Sequence, residues 1–114
     1  MSENEKRIAE LQLEEEILTN EMNDFFKRVQ FSTQFIDSDQ VSVKENIDFY
    51  YHKSLRSLNP KSDLKDVVLM FNDNMKNAMK NRIDGVDKIE LKEYLKLILK
   101  LYNIGIEKEY LKLT

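Results

Sequence analysis

The stretch from residue 91 to residue 102 constrains the fold of this chain more than any other segment. It reads Leu-Lys-Glu-Tyr-Leu-Lys-Leu-Ile-Leu-Lys-Leu-Tyr, and eight of its twelve residues are apolar or aromatic. On a helix, its charged residues fall on one arc and the apolar residues cover roughly 200° of the circumference. One neighbouring helix cannot cover so wide a face, so we expect this segment to pack against two or more helices.

The rest of the sequence indicates an all-α protein. Its 114 residues include one proline and two glycines, which are too few for the many turns of an all-β fold. We expect a single α-helical domain over residues 1–114, arranged as a long helical hairpin or a four-helix bundle-like structure. The apolar spacing predicts helices over about 4–36, 42–58, 60–83 and 88–102, followed by a short helix over 106–112. It leaves open whether residues 60–112 form one long helix or two.

Local patterns set these helix limits. Ser42 and Glu45 have the spacing of a capping box, which predicts the start of the second helix. Asn59 and Pro60 separate the second helix from the third, and residues 103–105 (Asn-Ile-Gly) are expected to end the fourth. The first helix carries an apolar seam with steps of three and four residues, formed by Ile8, Leu11, Leu18, Met22, Phe25, Val29 and Ile36. A second apolar set is expected to widen that seam: Leu13, Ile17, Phe31 and Phe35.

Charge is distributed unevenly along the chain. Residues 1–24 hold eight acidic and two basic side chains, whereas residues 76–114 hold nine basic and six acidic ones. Antiparallel pairing of an acidic first helix with a basic last helix explains this distribution, and it can occur within the chain or between two chains. A lysine surface for an anionic partner is the alternative interpretation.

The sequence offers little for catalysis, cofactors or metals. It has no cysteine and a single histidine, His52, which we interpret as a surface residue beside Tyr50 and Tyr51. It contains no glycine-rich phosphate loop and no nucleophile elbow. We therefore expect no enzymatic activity, no cofactor and no metal site.

Localisation and non-protein partners are also limited by the sequence. No apolar stretch approaches the roughly 20 residues that span a bilayer, and the first residues lack the apolar run of a secretory signal. We expect a cytoplasmic protein, with export without a cleaved signal peptide as the alternative. Residues 101–106 have the spacing of the turn in a helix-turn-helix, but the low isoelectric point of about 5.3 disfavours nucleic acid as a partner.

Three features resemble a known family. An acidic leading helix, an interruption near Asn59-Pro60 and closing helices rich in leucine and lysine are similar to the small α-helical partner proteins of LXG toxins in Gram-positive type VII secretion. The resemblance implies helical hairpins that bind the toxin's long N-terminal helical domain and present it for export. Phe35 and Asp39 match the Phe-x-x-x-Asp form of export signal that accompanies such partners.

The leading functional hypothesis is a non-enzymatic adaptor or chaperone that binds a protein through helix–helix contacts. Its partner is a helical client protein or a second copy of the chain. The predicted interface lies on the closing helix and comprises Leu91, Leu95, Leu97, Ile98, Leu101 and Tyr102. The alternatives are a phage- or mobile-element-encoded inhibitor with an acidic helical surface and, third, a DNA-binding regulator.

Overall fold

The chain folds into four helices in a computed structural model that describes residues 2–29, 37–83 and 89–114. The helices are α1 (Glu3–Val29), α2 (Asp37–Ser57), α3 (Leu64–Ile83) and α4 (Ile89–Leu113). The described residues contain no β-strand. The all-α, four-helix bundle-like fold predicted from the sequence is confirmed.

Helix α4 occupies the centre of the arrangement. It packs against α1, α2 and α3, and α2 and α3 also pack against each other. Among the described helices, the backbone of α1 lies close to α4 alone. The expectation that the segment over 91–102 contacts at least two helices is therefore confirmed, and all of these neighbours belong to the same chain.

The hydrophobic core lies where α4 meets the other three helices. Tyr94 at its centre is 1% exposed and stacks on Phe25 of α1 with ring centroids 5.8 Å apart. The buried apolar side chains come from all four helices and include Leu11, Phe25, Val43, Ile47, Phe71, Met75, Met79, Leu91, Tyr94, Leu95, Ile98, Leu99 and Ile106. The core is thus assembled around α4, which explains why its apolar face is so wide.

Helices α1 and α4 run antiparallel within the chain. Asn4 at the start of α1 donates a hydrogen bond to Thr114, and Arg28 at its end pairs with Glu93. The intrachain form of the predicted pairing is confirmed.

The ion pairs between α1 and α4 are not those that the net charges indicate. Lys108 on the basic helix pairs with Glu15 on the acidic one. Arg28 and Arg7, however, are basic residues of α1 that pair with Glu93 and Glu107 of α4. The excess of acidic side chains on α1 is therefore largely left for its outer surface.

Two helix starts differ from the prediction. Helix α2 begins at Asp37, so Ser42 lies inside the helix and does not cap its N-terminus. Helix α3 begins at Leu64 and not at residue 60, because Asp63 accepts a hydrogen bond from the backbone N–H of Lys65 and caps it. Residues 59–62 form a turn, in which Ser62 N–H donates to the Asn59 carbonyl oxygen.

The end of α4 also differs. We expected Asn103 and Gly105 to end the helix and a short helix to follow over 106–112, whereas α4 continues without interruption to Leu113. Gly105 has a packing role, since a Cβ atom built there would lie 2.7 Å from the hydroxyl oxygen of Tyr51 on α2. The glycine thus permits close approach of the Tyr51 side chain to α4. On the question of residues 60–112, the structure describes two separate helices, α3 and α4, which pack against each other.

Candidate protein-interaction surfaces

Most of the predicted interface lies in the core of the chain itself. Leu91 is fully buried, and Leu95, Leu97 and Ile98 are between 4% and 8% exposed. Leu101 and Tyr102 are partly exposed. The chain's own helices thus cover four of the six side chains, and a contact with a second protein at these positions stays a prediction that fits only Leu101 and Tyr102 in the folded chain.

The two partly exposed residues have intramolecular neighbours as well. The ring of Tyr102 meets that of Tyr51 edge-on, with centroids 4.8 Å apart, and its hydroxyl donates a hydrogen bond to Asp48. Burial and the nearby Asp48 raise the pKa of Tyr102 above its ordinary value. Tyr102 therefore ties α4 to α2.

A groove lies between α3 and α4 and is lined by residues of both helices. Its volume is about 470 Å³. Lysine side chains form its rim and two leucines its floor, and we call it the lysine groove. It is lined by Asn72 and Lys76 of α3 and by Lys92, Leu95, Lys96, Leu99, Lys100 and Asn103 of α4.

The lysine groove carries charged side chains that are available to a ligand. Lys76, Lys92, Lys96 and Lys100 are exposed and form no ion pair with the described residues. The Leu95 and Leu99 side chains below them are 4% and 7% exposed. The groove thus offers positive charge around an apolar strip along one side of α4.

Two buried polar atoms border this groove. The side-chain oxygens of Asn72 and Asn103 are buried and accept no hydrogen bond from the described residues. Leaving a buried acceptor unpaired costs about 1–3 kcal/mol.

The groove continues towards α1. Lys100 and Asn103 also line a second cavity of about 260 Å³, whose other walls include Leu18 of α1 and Val68 of α3. The side of α4 between α1 and α3 is therefore the part of its surface that carries the lysines and lacks a neighbouring helix in the described chain. A further helix placed there would lie alongside α4.

The outward face of α1 is the second unusual surface. Leu13 and Ile17 are 62% and 59% exposed, although the sequence pattern predicted that they widen the buried seam. They lie one helical turn apart and are flanked by Glu10, Glu16 and Glu21, which are all exposed. That prediction was wrong because α1 packs against a single helix, so only one narrow side of it is covered.

Other sequence-based hypotheses fare differently. Residues 101–106 lie inside α4, so they do not form the helix-turn-helix turn that their spacing resembles. His52 is exposed beside the ring of Tyr51. Phe35 lies outside the described residues, as does the side chain of Asp39, so the export signal stays a prediction. The described residues contain no group of three or more histidine or acidic side chains that could hold a metal ion.

The sequence offered both surfaces only as alternatives, a lysine surface for an anionic partner and the acidic helical surface of an inhibitor. The periodic spacing of Lys92, Lys96 and Lys100 was visible, and lysines at this spacing usually form a solvated helix face. The contribution of Lys76 and Asn72 from α3 depends on how two helices pack, which the spacing does not report. None of the helices in the described ranges combines the length and apolar content needed to cross a lipid bilayer.

Comparison with known proteins leaves the family of this chain open. No family model matches it, and no curated protein or solved structure is significantly similar to it. The resemblance to partner proteins of LXG toxins accordingly stays a prediction from the sequence.

Proposed function

We propose that this protein is a non-enzymatic helical adaptor that binds an acidic, amphipathic helix of a protein partner in the lysine groove. The observation that carries the proposal is a groove between α3 and α4 whose exposed lysines have no ion-pair partner among the described residues. An amphipathic helix with acidic flanks matches both the groove and its lysines.

The floor and the rim of the lysine groove would contribute to binding in different ways. Leu95 and Leu99 are almost fully covered already, so the apolar part of the affinity has to come mainly from the aliphatic stems of the lysines at the rim. Ion pairs at an exposed rim add about 0.2–1 kcal/mol each and mainly fix orientation and partner choice. Lys92, Lys96 and Lys100 recur every fourth residue, so they run parallel to any helix that lies along α4.

The apolar floor favours a protein helix over nucleic acid. A DNA-reading surface depends on phosphate contacts and on side chains that reach base edges. The lysine groove instead places two leucines beneath its lysines, and the whole chain carries a net charge of −3.

The sequence resemblance suggests the first client to test. The partner proteins of LXG toxins bind a long N-terminal helical domain of the toxin. We therefore propose that the client helix belongs to such a domain and that the adaptor presents it for type VII secretion.

A labelled model peptide tests the groove directly. The probe is a helical peptide of about 20 residues, with leucines along one face and glutamates beside them, and its binding is followed by fluorescence anisotropy. We expect the triple variant Lys92→Glu/Lys96→Glu/Lys100→Glu to bind about tenfold or more weakly than the wild type, because the rim then repels the peptide. Co-purification of an LXG toxin's helical domain with the wild type, and not with this variant, tests the proposed client.

A matched control separates the site from overall charge. The variant Lys44→Glu/Lys61→Glu/Lys65→Glu changes the net charge equally at three exposed residues outside the groove, and it should bind the peptide nearly as well as the wild type. A peptide with glutamine in place of glutamate should bind more weakly than the acidic one. Equal loss of binding in both triple variants, or equal binding of both peptides, would contradict the proposal.

One observation favours a second candidate function, that of an acidic helical inhibitor of a host enzyme. On the outward face of α1, Glu16 and Glu21 form no ion pair or hydrogen bond with the described residues, whereas Glu14 and Glu15 pair with Arg7 and Lys108. A basic target surface would be bound through Glu16 and Glu21. Under this alternative, Glu16→Gln/Glu21→Gln abolishes inhibition of the target and leaves peptide binding in the lysine groove unchanged.

A further inference from the structure

We infer that the outward face of α1 from one copy of this chain docks in the lysine groove of another copy. This inference rests on the proposed function for the groove's ability to accept an acidic amphipathic helix. It adds a specific occupant, the protein itself, and so a means of regulating the groove. Self-association would occupy the site until a client helix displaces α1.

The apolar parts of the two surfaces have the same spacing. Leu13 and Ile17 are four residues apart on α1 and more than half exposed. Leu95 and Leu99 on the groove floor are also four residues apart. Side chains at this spacing lie one above the other on a helix. Because Leu95 and Leu99 are almost fully covered, Leu13 and Ile17 would pack mainly on the aliphatic stems of the lysines beside them.

The charged parts are complementary. Glu16 and Glu21 flank the exposed apolar pair of α1 and have no ionic partner among the described residues. The lysines of the groove rim, among them Lys96 and Lys100, are equally unpaired there. Docking would therefore bring together charges that the folded chain does not use internally.

The contact has to form between two molecules. The opposite side of α1 is packed on α4 through Leu11 and Phe25, which are 1% and 0% exposed. The outward face therefore points away from the groove of its own chain. Because the two surfaces differ, each copy can both offer α1 and receive it, either reciprocally in a two-fold dimer or in an open series.

The expected association is weak. A single helix in a groove buries less than the roughly 1,200–2,000 Å² of a stable protein–protein interface. We therefore expect a concentration-dependent equilibrium that shifts towards monomer when salt screens the charges. Such weak association suits an occupant that a client has to displace.

Charge-reversed variants, analysed by sedimentation velocity over a dilution series, test the inference. The α1 variant is Glu16→Lys/Glu21→Lys and the groove variant is Lys96→Glu/Lys100→Glu. The wild type should associate at high protein concentration and each variant alone should remain monomeric. An equimolar mixture should form heteromers, because each variant then offers the surface that the other lacks.

The mixture distinguishes docking from a general charge effect. The control Glu45→Lys/Asp73→Lys reverses two exposed acidic residues outside both surfaces and should associate like the wild type. Far-ultraviolet circular dichroism confirms that each variant is folded. A wild type that stays monomeric at every concentration, or a mixture of the two variants that forms no heteromer, would overturn the inference.

The peptide assay separates this inference from the proposed function. Glu16→Lys/Glu21→Lys leaves the groove intact, so it should bind the acidic model peptide at least as tightly as the wild type. Peptide binding without self-association defeats the inference alone. A wild type that neither binds the peptide nor self-associates would contradict the proposed function as well.

Discussion

Helices α4 and α1 have similar lengths and very different surroundings. Helix α4 has 25 residues, of which eight are buried, whereas α1 has 27 residues, of which three are buried. The difference follows from neighbours, since α4 contacts three helices and α1 one. An apolar pattern on a helix therefore indicates which side can be buried, and the neighbouring helices determine how much of that side is buried.

The comparison also separates stability from binding. The burial on α4 makes it the main contributor to the core, and the side of α4 that carries the lysines forms the lysine groove. Helix α1 contributes one side to the core and leaves Leu13 and Ile17 in solvent. The two proposed binding surfaces thus lie on the central helix and on the peripheral one.

The largest expected effect contrasts a buried leucine of α4 with an exposed leucine of α1. Leu91→Ala removes a fully buried side chain and should lower the free energy of unfolding by about 2–5 kcal/mol. Leu13→Ala changes a side chain that is 62% exposed and should alter it by less than about 0.5 kcal/mol. Urea denaturation followed by circular dichroism measures both.

A charged substitution sharpens this contrast. Leu97 is 8% exposed, so Leu97→Glu should prevent stable folding, although the sequence pattern placed Leu97 in a protein interface. Leu13→Glu should leave the fold intact. Equal sensitivity of the two helices to these changes would show that α1 is as deeply packed as α4.

Much of the fold could be predicted because long apolar periodicities determine helices. The wide face over residues 91–102 correctly indicated several neighbouring helices, and the charge distribution correctly indicated antiparallel packing of the first and last helices. Helix ends were less predictable. Gly105 looks like a stop signal in the sequence, yet it is the contact point for Tyr51 on a helix that is distant in sequence.

The candidate sites were less predictable for the same reason. A lysine groove needs side chains from α3 and α4 at a fixed relative position, and local spacing does not encode that position. Likewise, the pairs Arg7–Glu107 and Arg28–Glu93 depend on rotation of α1 about its axis and run against the net charges of the two helices. The sequence predicted features that a single helix determines, and it did not predict features that depend on how two helices pack.

Alkaline pH tests the contact between α1 and α4. Tyr94 of α4 packs against Phe25 and Phe26 of α1, and burial raises the pKa of Tyr94 to about 12 from its ordinary value of 10. The unfolded chain ionises this phenol first, so its contribution to stability is complete below pH 10 and is lost as pH rises through about 12. The loss amounts to at most about 3 kcal/mol.

Comparison with a variant isolates this residue from the lysines that titrate in the same range. Tyr94→Phe should have a shallower decline of unfolding free energy between pH 10 and 12 than the wild type. Tyr102→Phe should flatten the decline less, because Tyr102 is more exposed than Tyr94. Identical pH profiles for wild type and Tyr94→Phe would show that Tyr94 is not held in its neutral form at the α1–α4 contact.

The smallest expected effect concerns the close approach of α4 to α2 at Gly105. Replacing a glycine inside a helix by alanine ordinarily stabilises it by about 1 kcal/mol. Here the new methyl group would lie 2.7 Å from the Tyr51 hydroxyl oxygen, so the Tyr51 ring would have to shift against its edge-on contacts with Phe71 and Tyr102. We therefore expect Gly105→Ala to destabilise the wild type.

A double-mutant cycle decides whether contact with Tyr51 is the cause. In a Tyr51→Phe background the nearest ring atom lies 3.3 Å from the new methyl group, so Gly105→Ala should be more favourable there by about 1 kcal/mol. Thermal or urea denaturation of the four proteins gives this coupling energy. No coupling would mean that α2 does not approach α4 closely at this point, and α4 would then be less enclosed than its comparison with α1 indicates. Coupling of the expected sign would show that Tyr51 of α2 contacts α4 directly at Gly105, on a part of α4 outside the lysine groove.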